Sequence, residues 1–328
     1  CSSDLPEEAR DSFGEDPFEV KNILKYWVFS EKPEFHVIPT DTINIHIDKD
    51  ALLRSGIMLP KTIRHLKGED LKDAIPDKLY IPLTDIRMLT KVDLLMLEML
   101  ANCNWERPLY LAISVGSVSK LKFDNYFVQE GLAFRFTPFD YKKWGDVGEN
   151  RLYAVDVERL YNNVMNRYKY GGLDTPGLYL DETTLRTCWY HRRLFAQLAK
   201  ELIAQGDNER AKKVLAYAEQ VIPGYNVPET HESGSYDIAT AYAALGEKTK
   251  AVTLAVHLIA EAEDYINWAF SLKGNRIEMV RNDCIYKFWQ WNQYNELLKK
   301  IDGEKYKESN RRFEEKYALF APTMNYKN

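Results

Sequence analysis

The sequence predicts an α+β fold, in which a small mixed α/β domain is followed by an all-α domain of helical repeats. Two observations lead to this prediction. Apolar residues alternate with polar ones in short segments of the first half, as in half-buried strands, whereas the second half keeps the spacing of amphipathic helices and contains an internal repeat. A chain of 328 residues is also long enough for two domains.

We expect three regions along the chain. Residues 1–34 form an N-terminal segment with a short helix, residues 35–154 form the α+β domain, and residues 155–328 form the helical domain. The first residue, Cys1, could be the lipidated start of a bacterial lipoprotein, or it could mark the point at which a longer chain was cut. Of these two interpretations we favour the cut.

The strands of the first domain are predicted from short runs bounded by turn residues. In residues 42–47 three isoleucines alternate with polar residues, which is the pattern of a strand with one buried face. The other predicted strands surround Tyr80, cover residues 108–114 and cover residues 131–136. Residues 90–101 have helical spacing, and Thr90 followed three residues later by Asp93 resembles a capping box.

A long connection from residue 138 to residue 154 contains two tyrosines, a tryptophan and two adjacent lysines. Connections of this length are either functional or mobile. We interpret this one as a solvated connector whose aromatic side chains pack against the domain. The alternative is a lid over a substrate.

The helical domain begins at Asp156, which can cap its first helix. Apolar residues then keep helical spacing up to Gly171 and Gly172, which can end that helix. A second, long helix is predicted from about residue 182 to residue 205.

Two segments of this domain align with a constant offset of 40 residues, which places Gly206 over Gly246 and superposes several alanines. Small residues at these positions, with a proline at the end of the first unit, are typical of tetratricopeptide repeats. We therefore predict two tetratricopeptide-like hairpins, at about residues 185–223 and 235–264. An aromatic-rich helix after them could cap the stack.

Composition and motifs argue against several classes of function. A net charge of −5 gives no basic surface for nucleic acid, and no apolar run approaches the roughly 18 residues of a membrane-spanning helix. The six histidines lack metal-ligand spacing, and phosphate-binding and serine-hydrolase motifs are missing, so we expect no metal and no cofactor. Asp48-Lys49-Asp50 matches a short glycosyltransferase motif, but a helix cap at Asp48 explains it more simply.

Asp181 and Glu182 are adjacent carboxylates at the predicted start of the long helix. Adjacent side chains diverge on a helix, so they do not form an acid/base pair by themselves. A cap at Asp181 is favoured, and a functional role would need a third partner from the first domain.

A candidate ligand or interdomain site combines two strand entrances of the first domain. Trp105 and Arg107 precede one predicted strand, and Glu130 and Arg135 lie beside or within another. If these strands are neighbours, Glu130 pairs with Arg107, and Trp105 and Arg135 face a ligand such as a sugar or an anion. Alternation along the strand favours the opposite interpretation, in which Arg135 lies on the solvent-exposed face. Asp181 and Glu182 complete the set of candidate residues.

The same segments carry a family resemblance. The runs NWERPLYLAISVG, FVQEGLAFRFTP and LYNNVMNRYKYGGLDTPGLYLDETTLR, followed by tetratricopeptide-like helices, resemble the C-terminal region of membrane proteins of the domain of unknown function 2723 family. That family is similar to protein O-mannosyltransferases, and the resemblance spans about residues 43–258. The positions that match its motifs are Trp105, Arg107, Pro108, Glu130, Gly131, Arg135, Gly171, Gly172, Asp181 and Glu182.

The resemblance implies that glycosyl transfer belongs to an N-terminal multi-span membrane domain of the same protein. It also implies that the present chain lies on the periplasmic side of an inner membrane. We therefore expect a non-catalytic accessory region that positions a protein or glycan acceptor or braces the membrane domain, with Arg135 facing the groove between the two domains. Two alternatives stay open. One is a free-standing lipoprotein whose repeat scaffold binds a protein or glycan. The other is a glycan-active enzyme that uses Glu130, Asp181 or Glu182 as paired carboxylates about 5 to 10 Å apart.

Overall fold

The structure, a computed structural model, describes residues 16–33, 36–38, 40–115, 121, 123–148, 153–272 and 276–324. The N-terminal cysteine, for which a lipidated start or a cut was expected, lies outside the described residues. Contacts within the chain divide it into unit 1, residues 1–160, and unit 2, residues 161–328. Unit 1 combines small sheets with short helices and unit 2 is helical, so the predicted fold class is confirmed.

Unit 1 contains short elements. Its strands are β1 (Thr42–His46), β2 (Lys78–Pro82), β3 (Tyr110–Ala112), β4 (Phe127–Gln129), β5 (Ala133–Phe136) and β6 (Ala154–Val155). Its helices are α1 (Val20–Ile23), which continues as a π-helical turn over Leu24–Val28, α2 (Lys49–Arg54), α3 (Gly68–Ala74) and α4 (Lys91–Asn102). The division between the units falls within α5 (Val157–Asn162).

Strands β1 and β2 form an antiparallel pair in which apolar and polar residues alternate. Ile43 is opposite Ile81 and Ile45 is opposite Leu79, and all four side chains are buried. Burial of one face is the main driving force for this pairing and fixes its register. Both predicted strands are therefore confirmed.

The second sheet has the strand order β3-β5-β4-β6. Neighbouring strands are antiparallel except β4 and β6, which are parallel. Strands β3 and β5 lie within two predicted strands but are shorter than predicted. Strands β4 and β6 were not predicted, because three and two residues are too few to show a period.

Two predicted helix starts in unit 1 are confirmed. The backbone N of Asp93 donates to Thr90 Oγ1 at 3.3 Å and the backbone N of Thr90 donates to Asp93 Oδ2 at 2.7 Å, which makes a capping box at α4. The backbone N of Ala51 donates to Asp48 Oδ1 at 2.9 Å, so the aspartate that could have belonged to a glycosyltransferase motif caps α2.

The connection after β5 is largely packed into the core. The side chains of Phe139 and Tyr141 are fully buried, and Phe139 contacts Trp144 edge to face at 5.9 Å. For residues 138–148 this agrees with a connector whose aromatic side chains pack against the domain. Residues 149–152 of the predicted connection lie outside the described residues.

Unit 2 consists mainly of helices. They are α6 (Glu182–Ala204), α7 (Asn208–Val221), α8 (Ser235–Ala244), α9 (Lys248–Ser271), α10 (Arg276–Met279), α11 (Arg281–Ile301) and α12 (Gly303–Met324). Ahead of them, α5 is capped by Asp156 as predicted, since the backbone N of Arg159 donates to Asp156 Oδ1 at 3.0 Å. The predicted end of that helix at two glycines is too late, because a π-helical turn over Asn163–Arg167 already ends it.

Helices α6 and α7, and helices α8 and α9, form two hairpins at the predicted offset. Each turn contains a glycine with φ near +80°, Gly206 in the first and Gly246 in the second. Only glycine adopts this left-handed conformation without a steric penalty, so the repeated glycine fixes the repeated turn. Ala211 and Ala251 are fully buried, which lets the paired helices approach closely.

The inserted segment between α7 and α8 is held by one buried arginine. Arg192 of α6 donates from Nη1 to the carbonyl of Pro228 at 2.8 Å and from Nη2 to the carbonyl of Ile222 at 3.1 Å. It also donates to Ser233 Oγ at 3.3 Å. These bonds fix the segment that leads into α8.

Candidate functional site

Arg135, a predicted ligand-facing residue, lies in a buried charge network inside unit 1. Only 3% of its surface is exposed. Its Nη2 donates to the carbonyl and the hydroxyl of Ser55 at 3.0 and 2.8 Å, and its Nη1 donates to the carbonyl of Gly56 at 3.4 Å. These groups follow the last residue of α2, where a cation is favoured because the carbonyls at a helix C-terminus carry partial negative charge. The guanidinium therefore caps a helix.

Glu130 is the anion of this network. Its Oε1 lies 3.6 Å from Arg135 Nη1 and 3.3 Å from Arg159 Nη1, and its Oε2 accepts from the Tyr110 hydroxyl at 2.8 Å. One buried carboxylate is thus surrounded by two cations and a hydroxyl. Burial, together with the nearby glutamate, raises the pKa of the Tyr110 hydroxyl. This geometry gives Glu130 and Arg135 a structural role.

Three predictions about these residues are wrong. Glu130 pairs with Arg135 and Arg159 instead of Arg107, Arg135 does not lie on a solvent-exposed face, and its guanidinium points at α2 instead of at an open groove. Alternation does not predict the burial of Arg135, because β5 is an inner strand and its end is covered on both faces. Arg135 and Phe136, which point to opposite faces, are both buried.

Trp105 and Arg107 lie beside Arg135, but the crevice that these three residues share is too small for a ligand. The three residues line one crevice of about 10 Å³, which holds about one water molecule at most. The Trp105 indole is buried, donates to the carbonyl of His46 at 2.7 Å and stacks on Phe136 at 6.4 Å. Trp105 therefore packs as a core residue.

The backbone at this position is strained. Asn104 and Trp105 have φ of +48° and +60°, and left-handed backbone is rare for a residue as large as tryptophan. A polar cavity of about 580 Å³ adjoins this turn. Four charged side chains in its wall are engaged with one another, since Lys49 pairs with Asp77 and Lys72 pairs with Asp50, each at 2.8 Å.

Asp181 and Glu182, the two candidates in unit 2, serve the start of α6. Asp181 Oδ1 accepts from the backbone N of Thr183 and of Thr184 at 2.9 and 3.1 Å, which confirms the predicted cap. Glu182 pairs with Arg186 one helical turn later at 2.6 Å. The two carboxylates are engaged separately, so they do not form an acid/base pair.

A surface of unit 2 carries half-exposed aromatic side chains that are not among the predicted site residues. Trp289 and Tyr286 of α11 are 48% and 43% exposed. Their rings stack at 5.6 Å with an interplanar angle of 14°. His231, in the short 3-10 turn before α8, packs edge-on against Trp289 at 5.2 Å. Neighbouring aromatic rings that stay half exposed form an apolar patch, which makes this surface a candidate binding site.

Polar groups extend this surface to the first hairpin. Glu232 Oε1 accepts from Gln290 Nε2 at 2.9 Å, and its carbonyl accepts from Arg193 Nε at 2.5 Å. Arg193 in turn lies over the ring of Tyr190 at 5.3 Å. We call this surface the aromatic strip, and it comprises Tyr190, Arg193, His231, Glu232, Tyr286 and Trp289, with the buried side chain of Gln290 behind Glu232.

The aromatic strip combines an ionised carboxylate with a neutral imidazole near neutral pH. Burial alone would raise the pKa of Glu232, but a hydrogen bond with its own backbone, Lys287 and Gln290 together hold that pKa below its usual value. Burial lowers the pKa of His231, against the opposing effect of Glu232. The strip therefore offers a hydrogen-bond acceptor and donors beside its aromatic faces.

Another groove of unit 2 lies between α7, α8 and α9, with a volume of about 710 Å³. The Glu219 carboxylate at its wall accepts from the Tyr242 hydroxyl at 2.5 Å and from Lys250 Nζ at 2.8 Å. The Glu219 carboxylate and the Lys250 ammonium bind each other, so neither charge points at a ligand in the groove. Within the described residues no group of three or more histidine, cysteine, aspartate or glutamate side chains could hold a metal ion.

Part of the aromatic strip had a signal in the sequence. The segment of α11 was recognised as aromatic-rich, but its aromatic residues were expected to cap the stack. Helical spacing divides these aromatic residues between two faces of α11. Phe288 and Trp291 are buried in the core, whereas Tyr286 and Trp289 are half exposed. Nothing in the sequence places His231, which comes from the inserted segment, beside α11.

Comparison with known proteins bears mainly on unit 1. A family model described as TMEM260-associated domain 2 matches residues 7–158, a little under half of the chain. That description names a domain associated with a membrane protein. No curated protein and no solved structure matches the chain. Among the described helices, none combines the length and the apolar character that crossing a membrane requires.

Proposed function

We propose that this chain is a non-catalytic accessory region of a multi-span membrane glycosyltransferase. In this proposal the aromatic strip positions an acceptor polypeptide for the membrane domain of the same protein, at the periplasmic face of an inner membrane. The observation that carries the proposal is the half-exposed stack of Trp289 and Tyr286 beside hydrogen-bonding side chains.

Association with a membrane protein is supported from two sides. The family model that matches residues 7–158 describes a domain associated with a membrane protein. The motif order from about residue 43 to residue 258 resembles that of the domain of unknown function 2723 family, whose membrane part resembles protein O-mannosyltransferases. The two similarities overlap over most of unit 1.

A polypeptide fits the strip because of the side chains it presents. Tryptophan, tyrosine and arginine dominate the binding energy of protein interfaces, and the strip contains all three types. Arg193 is an exposed donor and Glu232 is an acceptor, so main-chain carbonyls and amides of an extended segment would both find partners. Stacked helix pairs also present extended binding surfaces.

A binding role is further supported by the state of the candidate carboxylates. Glu130 is enclosed by Arg135 and Arg159, while Asp181 caps a helix and Glu182 pairs with Arg186. None of these three is left to act as the acid or base of a glycan-active pair.

The test is Trp289→Ala in the intact membrane protein that contains this chain, assayed for transfer to a polypeptide acceptor. Loss of a central aromatic contact is expected to raise the acceptor KM by roughly 10- to 100-fold with little change in kcat. The matched control is Trp268→Ala, because Trp268 of α9 is 49% exposed and contacts Tyr265 instead of the strip.

Equal KM values for the two variants would refute the proposal. Competition experiments identify the ligand class. If free oligosaccharide, and not acceptor peptide, protects Trp289 fluorescence from quenching, the strip binds glycan and the polypeptide assignment is wrong.

A further inference from the structure

Helix α4 of unit 1 has a second apolar face that is exposed. Leu97 and Leu100 point into the core, whereas Val92, Leu95 and Met99 on the other side are 46%, 60% and 49% exposed. The spacing of three and then four residues places these three side chains in one stripe along the helix. Such spacing is that of a seam between two helices.

The charges beside this stripe are arranged in a self-complementary way. Lys91 and Glu98 are seven residues apart, so they flank the stripe on the same side. The Glu98 carboxylate is held in place by Asn102, whose Nδ2 donates to Oε1 at 2.9 Å. When two identical helices run antiparallel, residues on one flank of the seam face the same flank of the other helix. Lys91 of each helix then lies opposite Glu98 of the other.

We propose that α4 pairs in antiparallel orientation with α4 of a second copy of this chain. Val92 of each copy packs against Leu95 of the other, and two Lys91–Glu98 ion pairs flank this contact. The arrangement has two-fold symmetry, in which one surface patch contacts its own equivalent.

A second copy fits this face better than a lipid surface. The stripe is flanked by one cation and one anion, so it has no net attraction for anionic lipid headgroups. Its charge pattern instead complements itself. A single pair of helices of this length lies at the small end of specific interfaces, so the dimer is weak and depends on concentration.

The first experiment is sedimentation equilibrium of the 328-residue chain from about 10 μM to about 1 mM, where a weak dimer accumulates by mass action. The average mass is expected to rise toward that of a dimer. Leu95→Glu should raise the dissociation constant at least about 10-fold, since each copy then places a carboxylate against the apolar side chain of Val92 in the seam. The control is Leu319→Glu, which changes a similarly exposed leucine of α12 in unit 2.

Charge exchange tests the antiparallel geometry. Lys91→Glu alone and Glu98→Lys alone should each weaken the dimer by roughly 3- to 10-fold, because each places like charges opposite one another twice. A mixture of these two variants should form a heterodimer about as tight as the wild-type dimer, since every facing pair is again of opposite sign.

Several results would overturn the inference. A chain that stays monomeric at about 1 mM has no such interface. A dimer that persists equally in Leu95→Glu uses another surface, and a mixture that associates no better than the single variants excludes antiparallel pairing. Binding of the stripe to anionic vesicles in a monomeric chain would assign it to a membrane surface. Circular dichroism of each variant confirms that these exposed substitutions leave the fold intact.

Discussion

Replacing Arg135 with leucine is expected to lower the free energy of unfolding of unit 1 by about 3 kcal/mol. The change removes the guanidinium that donates to Ser55 and to the carbonyl of Gly56. Breaking a buried ion pair costs about 3 to 5 kcal/mol when it leaves a charge without a partner. Here Arg159 still lies 3.3 Å from Glu130, so the lower end of this range applies.

Urea unfolding, with hydrogen exchange at the amides of β5, measures this loss within unit 1. The control is Arg186→Leu, which breaks the ion pair with Glu182. The side chains of Arg186 and Glu182 are 65% and 77% exposed. Exposed pairs of this kind contribute about 0.5 kcal/mol or less. A double variant, Glu130→Leu with Arg135→Leu, should be less unstable than Glu130→Leu alone, because it leaves fewer buried cations without an anion.

A small effect would refute this reasoning. If Arg135→Leu changed the free energy of unfolding by less than about 1 kcal/mol, the guanidinium would not be a structural cap. If the same variant also lost binding of an acceptor, the ligand-facing role expected from the sequence would be restored.

Two further predictions concern unit 2. Gly206→Ala and Gly246→Ala should each destabilise it by about 1 to 2 kcal/mol, because both residues have a left-handed backbone. An added Cβ meets open space at both sites, so no steric clash adds to this cost. Thermal unfolding that gave clearly unequal losses would show that the turns are not equivalent. The stability of unit 2 should also fall as pH drops below 6.5, the ordinary histidine pKa, until the pH passes the lower folded-state pKa of His231. The unfolded chain takes up the proton first, so acid favours unfolding. In urea titrations from about pH 8 to about pH 5, His231→Asn should reduce this dependence and leave the part that His191 contributes. An unchanged slope would contradict the assignment.

The parts of the fold that could be predicted from the sequence are those set by neighbouring residues. Thr90 with Asp93, and Asp181 at the start of α6, form caps whose donors lie within three residues. The alternating isoleucines of β1 predict their own burial, because the period of a strand is local. The repeated turns at Gly206 and Gly246 need only one conformation of one residue.

The candidate site depended on distant partners and was therefore harder to predict. Arg135 was assigned to an exposed face by alternation, yet its partners at Ser55 come from a helix 80 residues earlier. The aromatic strip likewise requires His231 of an inserted segment to meet Trp289 of α11. Periodicity shows which face of an element is apolar, but not which other element covers it.

The contacts between distant residues of unit 1, including those of the buried charge network, also bear on the order in which the chain folds. The Trp105 indole reaches His46, 59 residues earlier, and Arg159 reaches Gly56 across 103 residues. In unit 2 the helices of each hairpin are close neighbours in sequence. Because distant contacts form slowly and local ones quickly, unit 1 is expected to be the slower unit to fold even though it is synthesised first. Until β6 and Arg159 have left the ribosome, Glu130 remains without one of its two cations, so the nascent first unit is the part of the chain most exposed to misfolding and to chaperones.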